Sequence, residues 1–184
     1  MGRDKRALPW IPRCDGSPQT VLQYVVTSLS DHISDVVLVA NDDPDVQGAR
    51  IVNDVYPNAG SLGGIYSGLK AASHELAFVA AADMPFLNIN LVVALAKRAA
   101  DADAVVPIVQ GRPEPIHALY RKTLLSSMRR QIERKELKIT TVFESFKIVW
   151  VDDNDLRATD PELRSFHNLN TPHDYEQALV QVRV

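Results

Sequence analysis

The sequence predicts an α/β fold built on a mainly parallel sheet, and three observations carry that reading. Leu76 to Ala82 is apolar throughout, with no polar alternation, the pattern of a strand covered on both faces. A second such run, Val36 to Ala40, stops at the polar break Asn41-Asp42-Asp43-Pro44. Segments of helical period alternate with these and other short apolar runs, joined by short connections, which gives a sheet with helices on its faces.

Composition narrows the class. The chain has 184 residues, and one domain spanning 1–184 is expected, large enough to bury roughly 70% of its unfolded surface. A hydrophobic fraction of 46% is ordinary for a globular chain. A net charge of −3 carries no polyanion-binding signature, so nucleic acid is not an expected partner. No apolar run approaches the ~20 residues of a membrane helix, no secretory leader pattern is read, and no membrane partner is expected. A single cysteine, Cys14, cannot form an internal disulfide, which fits a cytoplasmic location. Five histidines share no metal-ligand spacing and pair with no nucleophile in sequence.

The elements follow in order. Residues 1–16 open basic, turn apolar and end in the turn signal Asp15-Gly16. Ser17-Pro18 predicts a helix start, with serine as N-cap and proline at the first helical position. Val21, Leu22, Val25, Val26 and Leu29 then recur at helical spacing. Strands are expected at 36–40 and 50–53, the second delivering Asp54. Gly60 to Gly68 holds four glycines in nine residues and leads into a helix to about Ser73. Glycine lets a backbone approach a ligand, and a helix N-terminus offers unpaired N–H groups to an anion or a base edge. The same glycines serve close helix–sheet packing equally well. The pattern is neither G-x-G-x-x-G nor G-x-x-x-x-G-K-[ST]. The strand from Leu76 ends at Asp83, with Pro85 as its stop. A helix near 89–101, strands at 104–107 and 117–120, a basic helix over 121–135 and a short helix near 140–145 come next. A strand at 147–151, an irregular stretch at 152–168 and a helix from Thr171-Pro172 to about Val182 complete the chain.

Open sheets of this kind bind ligands beyond the carboxyl ends of their strands. Asn41, Asp54, Asp83 and the pair Asn168 and Asn170 fall at such ends. A carboxylate pinned there, Asp83, suits a hard cation such as Mg²⁺, which takes one or two protein carboxylates and completes its shell with water and phosphate oxygens. Asp83 serves equally as a cap of the turn or of the helix that follows. Lys5, beside Arg3, Asp4 and Arg6, reads on its own as a solvated lysine. Arg121, Lys122, Arg129, Arg130, Arg134 and Lys135 read as a solvated helix face rather than a phosphate patch. Trp10, Trp150 and the tyrosines read as packing and surface residues, Tyr66 in the glycine stretch included.

Together the motifs resemble the molybdenum cofactor guanylyltransferases, the MobA-like nucleotidyltransferases. MGRDKRALPW, VVLVAN, Asp54, PNAGSLGGIYSGL, AADMPFL, GRPEPIHALY and FHNLNTPHDY stand in that family's order and spacing across the whole chain. The resemblance implies a three-layer Rossmann-like nucleotidyltransferase fold and transfer of GMP from GTP to molybdopterin, with Mg²⁺ bound and pyrophosphate released. It implies that Asp83 is the metal ligand and Lys5 the phosphate-binding lysine. Asn41, Asp54, Gly60, Leu62, Gly63 and Gly64 then belong to the guanine and ribose end. Arg112, Glu114, Asn168 and Asn170 belong to the cofactor-substrate side. Molybdoenzymes or their chaperones are the implied protein partners. The family pattern opens with a strand and an L-A-G-G-x-S-x-R loop ahead of M-G-x-D-K, whereas this sequence begins at that methionine. On the resemblance, the first central strand and the loop that wraps the triphosphate are expected to be missing. An open gap in the sheet and weak GTP binding by the chain as given are then expected. Cytidylyl or sugar-phosphate transfer, and a cofactor-binding module without catalysis, are the alternatives.

Overall fold

The computed structural model describes residues 7–13 and 16–182; the expectations for Lys5, Cys14 and Asp15 lie outside them. The first helix starts later than Ser17-Pro18 predicts. Trp10 N–H donates to Gln19 C=O at 2.8 Å, and Gln19 Nε2 donates to Ile11 C=O at 2.7 Å. These bonds hold residues 17–19 outside the helix. Thr20 takes the cap instead, its hydroxyl accepting from Gln23 N–H at 3.1 Å. Helix α1 (Val21–Ser30) buries Val21, Leu22, Val25 and Val26 at the expected spacing.

Strands β1 (Val37–Val39) and β2 (Arg50–Val52) pair in parallel. Helix α2 (Gly60–Ala71) follows, so the glycine stretch is helical from its first residue rather than a loop. Gly60 enters it at φ +56, and a Cβ on Gly63 would stand 2.5 Å from the Tyr56 carbonyl oxygen. Tyr66 is buried and meets Tyr56 edge-on at 5.2 Å, a packing role.

The larger sheet contains β3 (Leu76–Ala80), β4 (Ala104–Val109), β5 (Arg112–Pro113), β6 (His117–Arg121) and β7 (Ile148–Val151). Strands β3, β4 and β7 run one way. β5 and β6 run against β4 because the chain reverses at Gln110-Gly111. These two residues sit at φ 50 and φ 73, as a two-residue hairpin requires. α3 (Ile89–Ala96), α4 (Leu125–Glu133), α5 (Asp153–Arg157) and α6 (Pro172–Val182) complete the α-helices, and the short helix expected near 140–145 is a 3-10 helix at Ile139–Ser145. α5 lies inside the stretch expected to be irregular, where the Asp152 side chain caps it. The solvated face expected of the basic helix holds for Arg129 of α4, which pairs with Glu133 at 2.8 Å in the open. It does not hold for Arg121, which ends β6 and donates to Ala99 and Ala102 C=O, or for Lys122, which donates to Ala72 C=O, because both precede α4 and reach back to neighbouring main chain.

Alternate residues of the strands feed opposite faces. Ala104, Val106, Ala118 and Tyr120 pack with α2 and α4 through Leu62, Leu69 and Met128. Val105 and Leu119 pack with Leu91 and Leu95 of α3 and Leu156 of α5. This is the three-layer arrangement, and within the larger sheet β5 and β6 run against the other strands. The run expected to be covered on both faces departs in one respect: every residue of β3 is half-buried. Among the described residues β3 pairs with β6 only and β1 with β2 only, so both strands keep an open edge beside α2. An apolar strand with one neighbour remains partly accessible whatever lies on its faces.

His117 is wholly buried, and neither ring nitrogen has a hydrogen-bond partner. Its ring stands edge-on to Phe78 at 4.9 Å and lies 4.7 Å from Phe166. Burial pushes its pKa down to about 4, against a smaller upward pull from Asp160.

Two outcomes are expected. Gly63→Ala drives a methyl into the Tyr56 carbonyl and should cost about 1–3 kcal/mol in urea unfolding. Gly64→Ala meets open space and should gain about 0.5–1 kcal/mol from helix propensity; a loss at Gly64 equal to that at Gly63 contradicts the packing assignment. For His117, the unfolded chain takes up a proton near pH 6.5 that the folded chain refuses until about pH 4. Its contribution is therefore intact above pH 6.5 and is lost as pH falls toward 4, up to about 3 kcal/mol. A His117→Phe variant should lose that part of the pH slope, and an unchanged slope would refute the assignment.

Candidate active site

One part of the candidate site forms where β1 and β2 end beside α2. Asn41 follows β1 and Asp54 follows β2. Asn41 Oδ1 accepts from Asp54 N–H at 2.9 Å. Asp54 Oδ1 accepts from Tyr56 N–H at 2.9 Å and lies 2.8 Å from the Ser67 hydroxyl of α2. That hydroxyl also lies 2.8 Å from Gly63 C=O and accepts from Val55 N–H at 2.9 Å. It has one proton to give, shared between the carboxylate and the carbonyl. One oxygen of Asp54 is thus committed to the fold, and Oδ2 makes no hydrogen bond among the described residues. A cleft of about 520 Å³ opens here, lined by Val39, Ala40, Asn41, Asp42, Asp54 and Gly64. Its size suits a small ligand.

Three expected residues, Asn41, Asp54 and Gly64, therefore meet in one cleft. The other three sit apart from its walls. Gly60 and Gly63 belong to the first turn of α2, whose N-terminus has no side-chain cap. Leu62 is fully buried in the core, so its side chain is closed to any ligand and only its main chain remains for contact. Ser67 was not among the expected residues. Its signal was only its spacing, four residues after Gly63 on the buried face of α2.

The second half of the site lies beyond β3. Asp83 stands on a turn three residues past the strand end, so it is not the last strand residue. The helix that follows is capped by Asn88, whose side chain accepts from Asn90 N–H at 2.9 Å, which removes helix capping as the role of Asp83. Leu169 N–H donates to Asp83 C=O at 3.0 Å and so brings Asn168 and Asn170 to this turn. Asn168 Oδ1 is buried with no hydrogen-bond partner. Asn170 N–H and Thr171 N–H donate to Asp174 Oδ2 at 2.9 and 2.7 Å, which starts α6 and holds the Asp174 carboxyl below the usual range. Among the described residues no three acidic, histidine or cysteine side chains cluster as a metal-ligand set. The oxygens of Asp83 and Asn168 fit a hard cation that needs few protein ligands.

Arg112 is exposed at the carboxyl end of β4. Glu114 is fixed by its N–H, which donates to Pro107 C=O at 2.9 Å, and burial pushes its carboxyl pKa up. Neither lines the cleft beside α2.

Comparison with known proteins decides the family. The MobA-like NTP transferase domain matches residues 1–147. The chain belongs to that family. As one of the MobA-like NTP transferases it is an enzyme, a nucleotidyltransferase. A molybdenum cofactor guanylyltransferase of Desulfosudis oleivorans is 32% identical, over 90% of this chain and 83% of that protein. A probable molybdenum cofactor guanylyltransferase of Natranaerobius thermophilus is 34% identical, over 97% of this chain and 88% of that protein. The crystal structure of molybdopterin-guanine dinucleotide biosynthesis protein A of Archaeoglobus fulgidus superposes with a TM-score of 0.80 at 26% identity, covering 99% of this chain and 92% of that one. A 2-C-methyl-D-erythritol 4-phosphate cytidylyltransferase of Thermus thermophilus shares the fold, with a TM-score of 0.70 at 20% identity, covering 98% of this chain and 94% of that one. Among the described residues no helix is long and apolar enough to cross a membrane.

Proposed function

We propose that this nucleotidyltransferase moves GMP from GTP to the phosphate of molybdopterin, in the cytoplasm, for delivery to molybdoenzymes or their chaperones. The observation that carries the guanine reading is the pre-oriented carboxylate of Asp54, with Oδ2 available beside the cleft. A carboxylate accepts from the N1–H and N2 amine of guanine, donors that adenine and cytosine do not present together. The uncapped N-terminus of α2 offers main-chain N–H groups from Gly60 to Leu62 to acceptor atoms at the same end.

In the reaction an oxygen of the acceptor phosphate forms a bond to the α-phosphorus of GTP. The bond from that phosphorus to the bridging oxygen breaks, and pyrophosphate leaves with that oxygen. The work of the protein is alignment and charge neutralisation. Asp83, with Asn168 and Asn170 close by, would hold a divalent cation, Mg²⁺, which when bound neutralises phosphate charge. The buried, unpartnered Asn168 Oδ1 supports that donor set. Lys5 takes the phosphate-binding role through the resemblance alone. Arg112 and Glu114 face the acceptor, where the half-buried Glu114 carboxylate accepts N–H donors of the pterin.

Calorimetry with GTP, CTP and ATP, with and without Mg²⁺, tests this reading. Preference among bases is the readout. GTP should bind tightest and only with Mg²⁺, and Asp83→Asn should remove the Mg²⁺ dependence and lower turnover by about 10²–10³. Equal binding of the three nucleotides, or a preference for CTP, overturns the guanylyl assignment.

A further inference from the structure

Residues 83–88 and 164–169 lie side by side. Leu169 N–H donates to Asp83 C=O at 3.0 Å, and Asn88 N–H donates to Ser165 Oγ at 3.1 Å. Between these ties the guanidinium of Arg164 lies over the Phe86 ring, with Cζ 4.6 Å from the centroid. The backbone beneath it is fixed. Asp160 accepts from Arg164 N–H at 3.1 Å and from Ser165 N–H at 2.9 Å, one with each carboxylate oxygen. Phe86 is backed by Trp10, edge-on at 6.1 Å. Nε of Arg164 is buried without a hydrogen bond, and the guanidinium makes no ion pair among the described residues.

A partly desolvated guanidinium on an aromatic platform with no anion beside it is held at a cost in free energy. Its planar fork of donors matches phosphate oxygens. Its platform, Phe86, stands three residues along the loop from Asp83, and Arg164 itself lies four residues before Asn168. We propose that Arg164 binds a phosphate group of a substrate at the Asp83 edge of the site. The proposal rests on the nucleotidyl-transfer reading, in which both substrates carry phosphate: the triphosphate of the nucleotide and the single phosphate of the acceptor.

The test compares wild type, Arg164→Gln and Arg164→Lys. Inorganic pyrophosphate and inorganic phosphate are titrated by calorimetry, beside unfolding midpoints. The Gln variant keeps the stem and loses the charge, and should bind the tighter of the two anions about tenfold more weakly at an unchanged unfolding midpoint. The Lys variant, which keeps charge without the fork, should fall between. Steady-state turnover then separates the sources. A rise of about tenfold in KM for molybdopterin assigns the acceptor phosphate, and the same rise in KM for GTP assigns the triphosphate. Unchanged anion binding in the Gln variant overturns the proposal, as does a loss of binding that merely tracks a lowered unfolding midpoint in both variants. Arg164-dependent pyrophosphate binding in a chain with no base preference would leave this assignment standing while removing the guanylyl one.

Discussion

One carboxylate oxygen, Asp54 Oδ1, ties together the elements around the cleft beside α2. It receives Tyr56 N–H from the loop after β2, and the Ser67 hydroxyl reaches it from α2. Asn41, at the end of β1, holds the backbone of the same residue. The tie is possible because Gly63 has no side chain where the Tyr56 carbonyl passes. A carboxylate fixed through one oxygen cannot rotate away from the cleft, so its other oxygen is aimed before any ligand arrives. Pre-orientation of this kind removes a cost that binding would otherwise carry.

The second constraint is a single main-chain bond, Leu169 N–H to Asp83 C=O. It joins residues far apart in the chain and brings the segment that carries Asn168, whose Oδ1 is buried without a hydrogen-bond partner, to the turn of Asp83. The capping of α6 by Asp174 fixes the end of the same segment. The cleft beside α2 and the turn at Asp83 are thus built separately, each by a few hydrogen bonds between loops.

Most of the architecture was legible because apolar runs and helical periods are set by burial, and burial here follows the two faces of one sheet. The strand ends were legible for the same reason, so Asn41, Asp54 and Asp83 emerged with them. What escaped depended on pairings between distant residues. Ser17-Pro18 is a sound helix start, yet Trp10 and Gln19 claim the backbone first. The hairpin at Gln110-Gly111 was missed because glutamine stands where asparagine or aspartate would signal a left-handed turn. The glycine stretch left ligand access and close packing both open, because composition cannot separate them; Gly63 is there for contact. Leu62 shared the motif of the nucleotide residues, but its side chain falls on the core face of α2. Half-burial of β3 could not be read from its composition, since it reflects the open edge and not the residues. Ser67 gave only its spacing from Gly63 and Arg164 gave no pattern, because a hydroxyl facing a carboxylate and a guanidinium without an anion exist only after folding.

The most direct test of the account is the affinity for GTP against inosine triphosphate, which lacks only the N2 amine, in wild type and in Asp54→Asn. The account predicts that wild type prefers GTP by about tenfold and that the preference collapses in Asp54→Asn. An equal preference in both proteins would contradict the reading of guanine by Asp54.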